Sequence, residues 1–190
     1  MVEELVGNAH GNLARVRELL DAHPDALNDR APWNETAVEA ATQMGNKPIL
    51  ELLLARGAPV DFFTACVLGR DEQVAAELAT DPSRAGARGV HELPTLYFAA
   101  IGGSRAIVER LLAAGADINA TSESAAPIHG AVMGGSAEMV RLLLERGADP
   151  SLPDYKGRRA RQLAEDMDRR DLADLIDQLS GSSSAPALAG

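Results

Sequence analysis

The chain has 190 residues, a formal net charge of -10 and only 3% aromatic residues. Its length suits one domain with a substantial core. Its acidity disfavours nucleic acid as a partner, because phosphate binding needs a basic patch. No run of about 18 apolar residues occurs, so the sequence predicts no membrane span. The first residues lack the basic and apolar pattern of a secretory signal, and Cys66 is the single cysteine, so we expect a cytoplasmic protein.

From the amino terminus onward, short apolar stretches end at a small turn residue that recurs with a nearly fixed spacing. The successive intervals are 34, 24, 34, 32 and 33 residues. A period of this size is typical of repeat proteins. The sequence therefore predicts about six copies, which are marked by Gly11, Gly45, Gly69, Gly103, Gly135 and, in a degenerate last copy, Asp168.

Each copy predicts two short antiparallel helices, most clearly in residues 127–152. Pro127 suits a first helical turn, and Gly135 can adopt the positive φ that ends that helix. Ser136 is a good N-cap for the second helix, whose apolar stripe over 139–144 precedes a stop at Gly147. Such short helices are marginal alone and become stable by stacking.

The period and one hexapeptide resemble a known repeat family. Residues 126–131, with the sequence APIHGA, are similar to the Thr-Pro-Leu-His-x-Ala signature of ankyrin repeats, and residues 36–41 and 94–99 occupy the matching positions. The resemblance implies an all-α solenoid of stacked helix pairs with short β-hairpin fingers and atypical terminal copies. We expect one domain over residues 1–179, an elongated monomer, and a disordered tail over residues 180–190.

One copy departs from the period. About nine residues are missing between Gly45 and Gly69, relative to a repeat of about 33. We expect the finger at residues 57–61 to be absent. The irregular stretch 83–94, with the sequence SRAGARGVHELP, should form a longer loop before the next helix.

No residue pattern predicts catalysis, a metal site or a cofactor. The resemblance implies that His129 is a structural residue that links one repeat to the next by hydrogen bonds. Cys66 has no histidine in its local motif and is expected to be a buried packing thiol. The Gly-Gly-Ser stretches lack the P-loop pattern.

Without a catalytic or metal site, the candidate functional feature is a binding surface. In ankyrin repeats the concave face is lined by finger tips and by the two residues before the glycine that ends each inner helix, and this implies binding of a protein or peptide segment there. We expect a partner with basic residues at the rim, given the acidity of the chain. The alternative is a small-molecule binder or an unusual enzyme that uses the same apolar groove. The candidate contact residues are Trp33, Met44, Leu68, Ile101, Met133, Tyr155 and Met167.

Overall fold

The computed structural model describes residues 1–182, with side chains described through residue 180. Six helix pairs follow one another in this part of the chain, as the glycine spacing predicts. Short 3-10 turns lie at Pro24–Asn28, Pro82–Gly86 and Val90–Glu92. The pairs are α1 (Val2–Ala9) with α2 (Leu13–Ala22), α3 (Ala37–Gln43) with α4 (Lys47–Ala55), α5 (Phe62–Leu68) with α6 (Asp71–Thr80), α7 (Thr95–Gly102) with α8 (Arg105–Ala113), α9 (Pro127–Gly134) with α10 (Ala137–Glu145), and α11 (Ala160–Asp166) with α12 (Arg170–Ser182).

The helices form two layers, and each pair contributes one helix to each layer. The odd-numbered helices, hereafter the inner helices, stack on one another from α1 to α11. The even-numbered helices, hereafter the outer helices, lie behind them, with α2 against α4, α6 against α8 and α10 against α12. Apolar stripes such as Met139, Val140 and Leu143 of α10 are buried between the layers. No helix within residues 1–182 combines the length and apolar character that a membrane crossing needs.

The turn residues that mark the repeats close the inner helices in the left-handed conformation. Gly45, Gly69, Gly103 and Gly135 have φ between 63° and 77°, and Asp168 takes the same place in the last copy with φ 56°. The first copy differs, because Gly11 does not have a positive φ.

The inner helices of the later repeats are in backbone contact through glycine. A Cβ atom built on Gly134 would lie 2.5 Å from the carbonyl oxygen of Ile101, and one on Gly130 would lie 2.6 Å from that of Tyr97. Gly102 approaches the backbone of α5 in the same way. Glycine therefore sets the spacing of α5, α7 and α9.

The shortened third repeat brings its two neighbours into direct contact. Only residues 56–61 connect α4 to α5. The Tyr97 hydroxyl of α7 donates a 3.0 Å hydrogen bond to the carbonyl oxygen of Gln43 at the end of α3. Lys47 Nζ donates to the carbonyl oxygen of Gly102 at 2.9 Å. The fourth repeat is thus joined to the second across the third.

The finger segments of the described chain are turns, with one isolated antiparallel bridge between Arg88 and Pro94 and no strand. Their backbone groups are paired within four-residue and five-residue turns instead of hairpin ladders. At the carboxyl end, α12 continues through Ser182, beyond the domain boundary expected at residue 179. The rest of the expected tail, residues 183–190, lies outside the described residues.

Candidate functional site

Large exposed hydrophobic side chains are concentrated on the face that carries the finger tips and the inner-helix ends. Five such side chains are exposed in the described chain, and Met1 is the one that lies elsewhere. Met44 and Met167 occupy equivalent positions, directly after α3 and α11. The four on this face are Trp33 at 47%, Met44 at 39%, Tyr155 at 67% and Met167 at 37% exposure.

The other three predicted contact residues offer less surface. Leu68 and Met133 are partly buried against the core. Ile101 is buried because α7 approaches α3: a Cβ on Gly45 would lie 2.7 Å from Ile101 Cγ1. The expected even row of side chains along the inner helices is therefore interrupted at Ile101, in the fourth repeat.

Gln43 and Tyr97 join several of the predicted residues into one surface. The Tyr97 hydroxyl lies 3.3 Å from the sulfur of Met133 while it bonds the backbone of Gln43. Met44 is the next residue after Gln43. No hydrogen bond in the described chain joins Leu68, Tyr155 or Met167 to this group, so the predicted set divides into this group and three residues outside it.

Trp33 lies at the tip of a tight finger turn. Ala31 N donates to Glu35 O at 2.8 Å, and Asn34 N donates to Ala31 O at 2.8 Å. Asn34 has φ 64°, which closes the turn in a region that asparagine tolerates better than most residues. Arg30 braces the turn with a 2.7 Å bond to the Asn34 carbonyl oxygen. The indole is thereby held at the surface next to α3.

Beneath Trp33 lies a carboxylate that is almost fully buried. The Glu35 side chain is 2% exposed. Its Oε2 accepts from Trp33 Nε1 at 2.8 Å, and its Oε1 accepts from Gln43 Nε2 at 2.9 Å. Both donors are neutral, so these hydrogen bonds satisfy the oxygens without neutralising the charge.

Two histidines from other repeats flank the same carboxylate. His10 Nε2 lies 3.7 Å from Glu35 Oε2, and His91 Nε2 lies 3.4 Å from Oε1. Gln43 Nε2 also contacts His10 Nε2, at 2.6 Å, while His10 Nδ1 faces the Gly7 carbonyl oxygen at 3.2 Å. The Gln43 amide nitrogen can only donate and the Gly7 carbonyl can only accept, so this arrangement fits a ring that accepts at Nε2 and donates from Nδ1.

His91 reaches Glu35 from the long loop before α7, whose residues Arg88 to Val90 lie beside α3 and α5. His91 and Glu92 both have positive φ, at 55° and 56°. The loop packs with Gly89 against Phe63 and Phe98, and Arg88 donates to the Glu92 carbonyl oxygen at 2.9 Å. Backbone strain of this kind is kept only where the surroundings determine it.

A cavity of about 220 Å³ remains under this loop. Glu39 and Asp61 line it, but both are already used as helix caps, for α3 and α5. Phe63 and Phe98 form its apolar side, with ring centroids 5.1 Å apart. Within residues 1–182, no three His, Cys, Asp or Glu side chains are placed so that they could hold a metal ion.

At the other end of this face the finger of the sixth repeat has the same turn with other charges. Asp154 N donates to Arg158 O, and Gly157, with φ 75°, takes the place of Asn34. Arg158 therefore corresponds to Glu35. Its guanidinium is paired with Asp154 at 2.7 Å and Asp166 at 3.0 Å.

The residues that resemble catalytic groups have structural roles. His129 is buried; Ala126 N donates to its Nδ1 at 3.1 Å, and its Nε2 lies 3.2 Å from the Arg158 carbonyl oxygen. The predicted link between repeats is confirmed, and burial lowers the pKa of His129. Burial likewise raises the pKa of the Cys66 thiol to about 12, which fits a packing role.

Sequence reasoning missed Glu35, Gln43 and His91. Comparison of the finger sequences APWNE and DYKGR would align Glu35 with Arg158 and show an unmatched charge at an equivalent position. His91 gives no such signal, because its contact with Glu35 depends on the loop that crosses the shortened repeat.

Comparison with known proteins supports the repeat architecture. Residues 62–154, just under half of the chain, match the family model described as ankyrin repeats (3 copies). The match begins at the first residue of α5 and covers the third to fifth helix pairs. No curated protein matches the chain. Ankyrin repeats are generally protein–protein interaction modules and are typically not enzymes. The recurring helix pairs and this match together show that the chain contains ankyrin repeats, as the sequence resemblance predicts.

Proposed function

We propose that the protein binds an extended protein segment on its concave face, defined as the finger tips and the carboxyl-terminal ends of the inner helices. One observation carries the proposal. Four of the five exposed large hydrophobic side chains in the described chain belong to this face, although stacking of the helices does not require their exposure. Exposed apolar residues that are grouped on one side favour an interaction surface.

Each part of the face has a separate role in the proposal. Trp33 is the anchor, because a rigid, half-exposed indole buries a large area at a small entropic cost. Met44, Met133 and Met167 supply adaptable apolar contacts, and Tyr155 contributes the second finger tip. Leu68 and Ile101 support the surface from below. The protein acts as a monomer in the cytoplasm and performs no chemistry.

The test is selection of binding peptides from a displayed random library, followed by calorimetry with purified variants. Trp33→Ala is expected to weaken binding at least about 30-fold, as for a central interface anchor. The double variant Met44→Ala, Met167→Ala should weaken it less. Arg141→Glu, on the exposed side of α10, is the matched control and should bind like the parent protein. Peptides that lose affinity with Arg141→Glu but not with Trp33→Ala would place the binding surface on the outer helices and contradict the proposal.

A further inference from the structure

The finger of the second repeat holds a buried carboxylate, Glu35, that no lysine or arginine of the described residues pairs with. In the described residues, the ionisable groups paired with Glu35 are His10 and His91, and the Nε2 atom of His10 also faces the Gln43 amide nitrogen at 2.6 Å. The nearest brace, Arg30, is itself paired with the Glu39 carboxylate at 2.9 Å. A buried charge without a partner is costly, so its presence calls for an explanation.

In the equivalent finger of the sixth repeat, the charged residue at the same position is paired with opposite charges. Arg158 meets two carboxylates, Asp154 and Asp166. The positions of these two acids correspond in the second repeat to Ala31 and Gln43, which are both uncharged. The second repeat therefore has the charged residue of this arrangement without its counter-charges.

The groups around Glu35 leave a surface on which a ligand could rest. The side chains of His10 and His91 are 35% and 43% exposed, and Trp33 is 47% exposed. The indole N–H is already bonded to the carboxylate, which increases the electron density of the ring. An indole face is the aromatic surface that attracts cations most strongly. Low-dielectric walls also focus the field of a buried charge toward the opening.

The finger of the sixth repeat contains a cation next to an aromatic ring, and both belong to the chain itself. Lys156 Nζ lies 5.3 Å from the centre of the Tyr155 ring. By turn register, Lys156 occupies the position that Trp33 occupies in the second repeat, so here the finger tip carries its own cation. The finger tip of the second repeat carries the aromatic ring and the buried carboxylate, and the cation is absent.

We propose that the Trp33 finger is a binding site for an arginine or lysine side chain of the partner segment. The cationic group lies over the indole, close to the rings of His10 and His91, and its charge compensates that of Glu35. Because Glu35 is 2% exposed, the cation contacts the rings and senses the carboxylate through space. This inference rests on the proposed function, of which it specifies the partner chemistry.

The test uses Trp33 as the reporter, since it is the single tryptophan of the chain. The probes are two capped tripeptides, Gly-Arg-Gly and the same peptide with citrulline, the uncharged isostere of arginine. Both are titrated at pH 8, above the usual titration range of imidazole. The arginine peptide is expected to change Trp33 fluorescence saturably, with an affinity at least about tenfold higher than the citrulline peptide and reduced by salt.

Two variants test whether Glu35 causes the preference for the arginine peptide. Glu35→Gln should remove the preference for arginine, whereas Asp117→Asn, an acid before the fifth repeat, should keep it. Gln43→Lys provides a second route that retains the carboxylate: its ammonium can reach the position from which Gln43 Nε2 contacts Glu35 at 2.9 Å. This internal cation should remove the preference as well, in a protein whose folding does not depend on the loss of Glu35.

Equal responses to the two peptides, or an arginine preference that survives both Glu35→Gln and Gln43→Lys, would overturn the inference. Failure of the proposed function looks different. Library-selected peptides that are insensitive to Trp33→Ala would contradict the binding face itself, whereas selected peptides that need Trp33 but bind equally with citrulline in place of arginine would contradict only the cation site.

Discussion

Neighbouring inner helices pack by different contacts at two interfaces, the one between α7 and α9 and the one between α3 and α5. In the first, Gly130 and Gly134 let two backbones touch, which leaves almost no freedom in the spacing. In the second, the hydroxyls of Thr42 and Thr64 form a buried 3.0 Å hydrogen bond between the helices. The first interface lies within the range that matches the ankyrin model, and the second crosses its amino-terminal edge.

This difference coincides with the division of the predicted binding face. The regular region repeats one geometry and contributes Tyr155 and Met167, which lie outside the group joined by Gln43 and Tyr97. The irregular region, with its shortened repeat, brings the second and fourth repeats together and places His91 next to Glu35. A departure from the repeat period therefore provides contacts between the second and fourth repeats that a regular array would lack.

The largest expected effect is in the regular interface. Gly134→Ala places a methyl group 2.5 Å from the Ile101 carbonyl oxygen, and neither backbone can move without disturbing the stack. We expect a loss of about 3 kcal/mol in the free energy of unfolding, measured by urea denaturation and circular dichroism. Gly7→Ala in α1, where no atom lies within 4 Å of the added carbon, is the matched control and should be neutral or stabilising. Equal stability of the two variants would contradict the proposed backbone contact.

The threonine pair tests the irregular interface. Thr42→Val leaves the buried Thr64 hydroxyl without its partner and is expected to cost about 2 kcal/mol. The double variant Thr42→Val, Thr64→Val removes both polar groups and should recover most of that loss. A double variant whose cost equals the sum of the two single variants would show that the hydroxyls do not interact.

His129 connects the fifth and sixth repeats and makes their stability depend on pH. His129→Gln is expected to cost about 1 to 2 kcal/mol at pH 7.5, since it disturbs two buried hydrogen bonds. Burial lowers the pKa of His129 below the value of about 6.5 in the unfolded chain. The unfolded chain therefore binds the proton first, and stability that is complete above about pH 6.5 is lost as the pH falls.

The measurement is urea denaturation of both proteins at pH 7.5 and pH 5.5. The stability difference between the parent protein and His129→Gln should be smaller at pH 5.5. His23→Gln, at the exposed end of α2, is the control for a histidine without buried bonds. A difference that stays constant or grows at the lower pH would contradict the assigned role of burial.

The smallest expected effect concerns the contact between the second and fourth repeats. Tyr97→Phe removes the hydrogen bond to the Gln43 carbonyl oxygen and should cost about 1 kcal/mol. Urea denaturation followed by Trp33 fluorescence reports on the second repeat directly. Tyr155→Phe, whose side chain is largely exposed, should leave the midpoint unchanged. If Tyr97→Phe also leaves it unchanged, the two repeats are not coupled through this bond.

Much of the repeat architecture could be predicted because it depends on local residue chemistry. Ser136 caps its outer helix, Gly103 and Gly135 end the inner ones, and Asp168 adopts a positive φ in place of glycine, all as the pattern indicates. Ile101 shows the limit of this reasoning. Its register equals that of Gln43 and Met133, but the approach of α7 to Gly45 buries it, and the shortened segment between Gly45 and Gly69 lies more than 30 positions earlier in the chain.

By itself the sequence determined the number of helix pairs, their ends and the resemblance to ankyrin repeats, because periodic glycines, caps and apolar stripes act over a few residues at a time. It also identified Trp33 as an exposed side chain in a polar turn. The tertiary structure alone decided what lies beside that tryptophan. His10, Glu35 and His91 come from three different repeats. Only the stacking of the helices and the loop across the shortened repeat bring the two histidines within 4 Å of the Glu35 carboxylate. Contacts of this kind depend on the sum of all packing geometries between the repeats, which no local pattern contains.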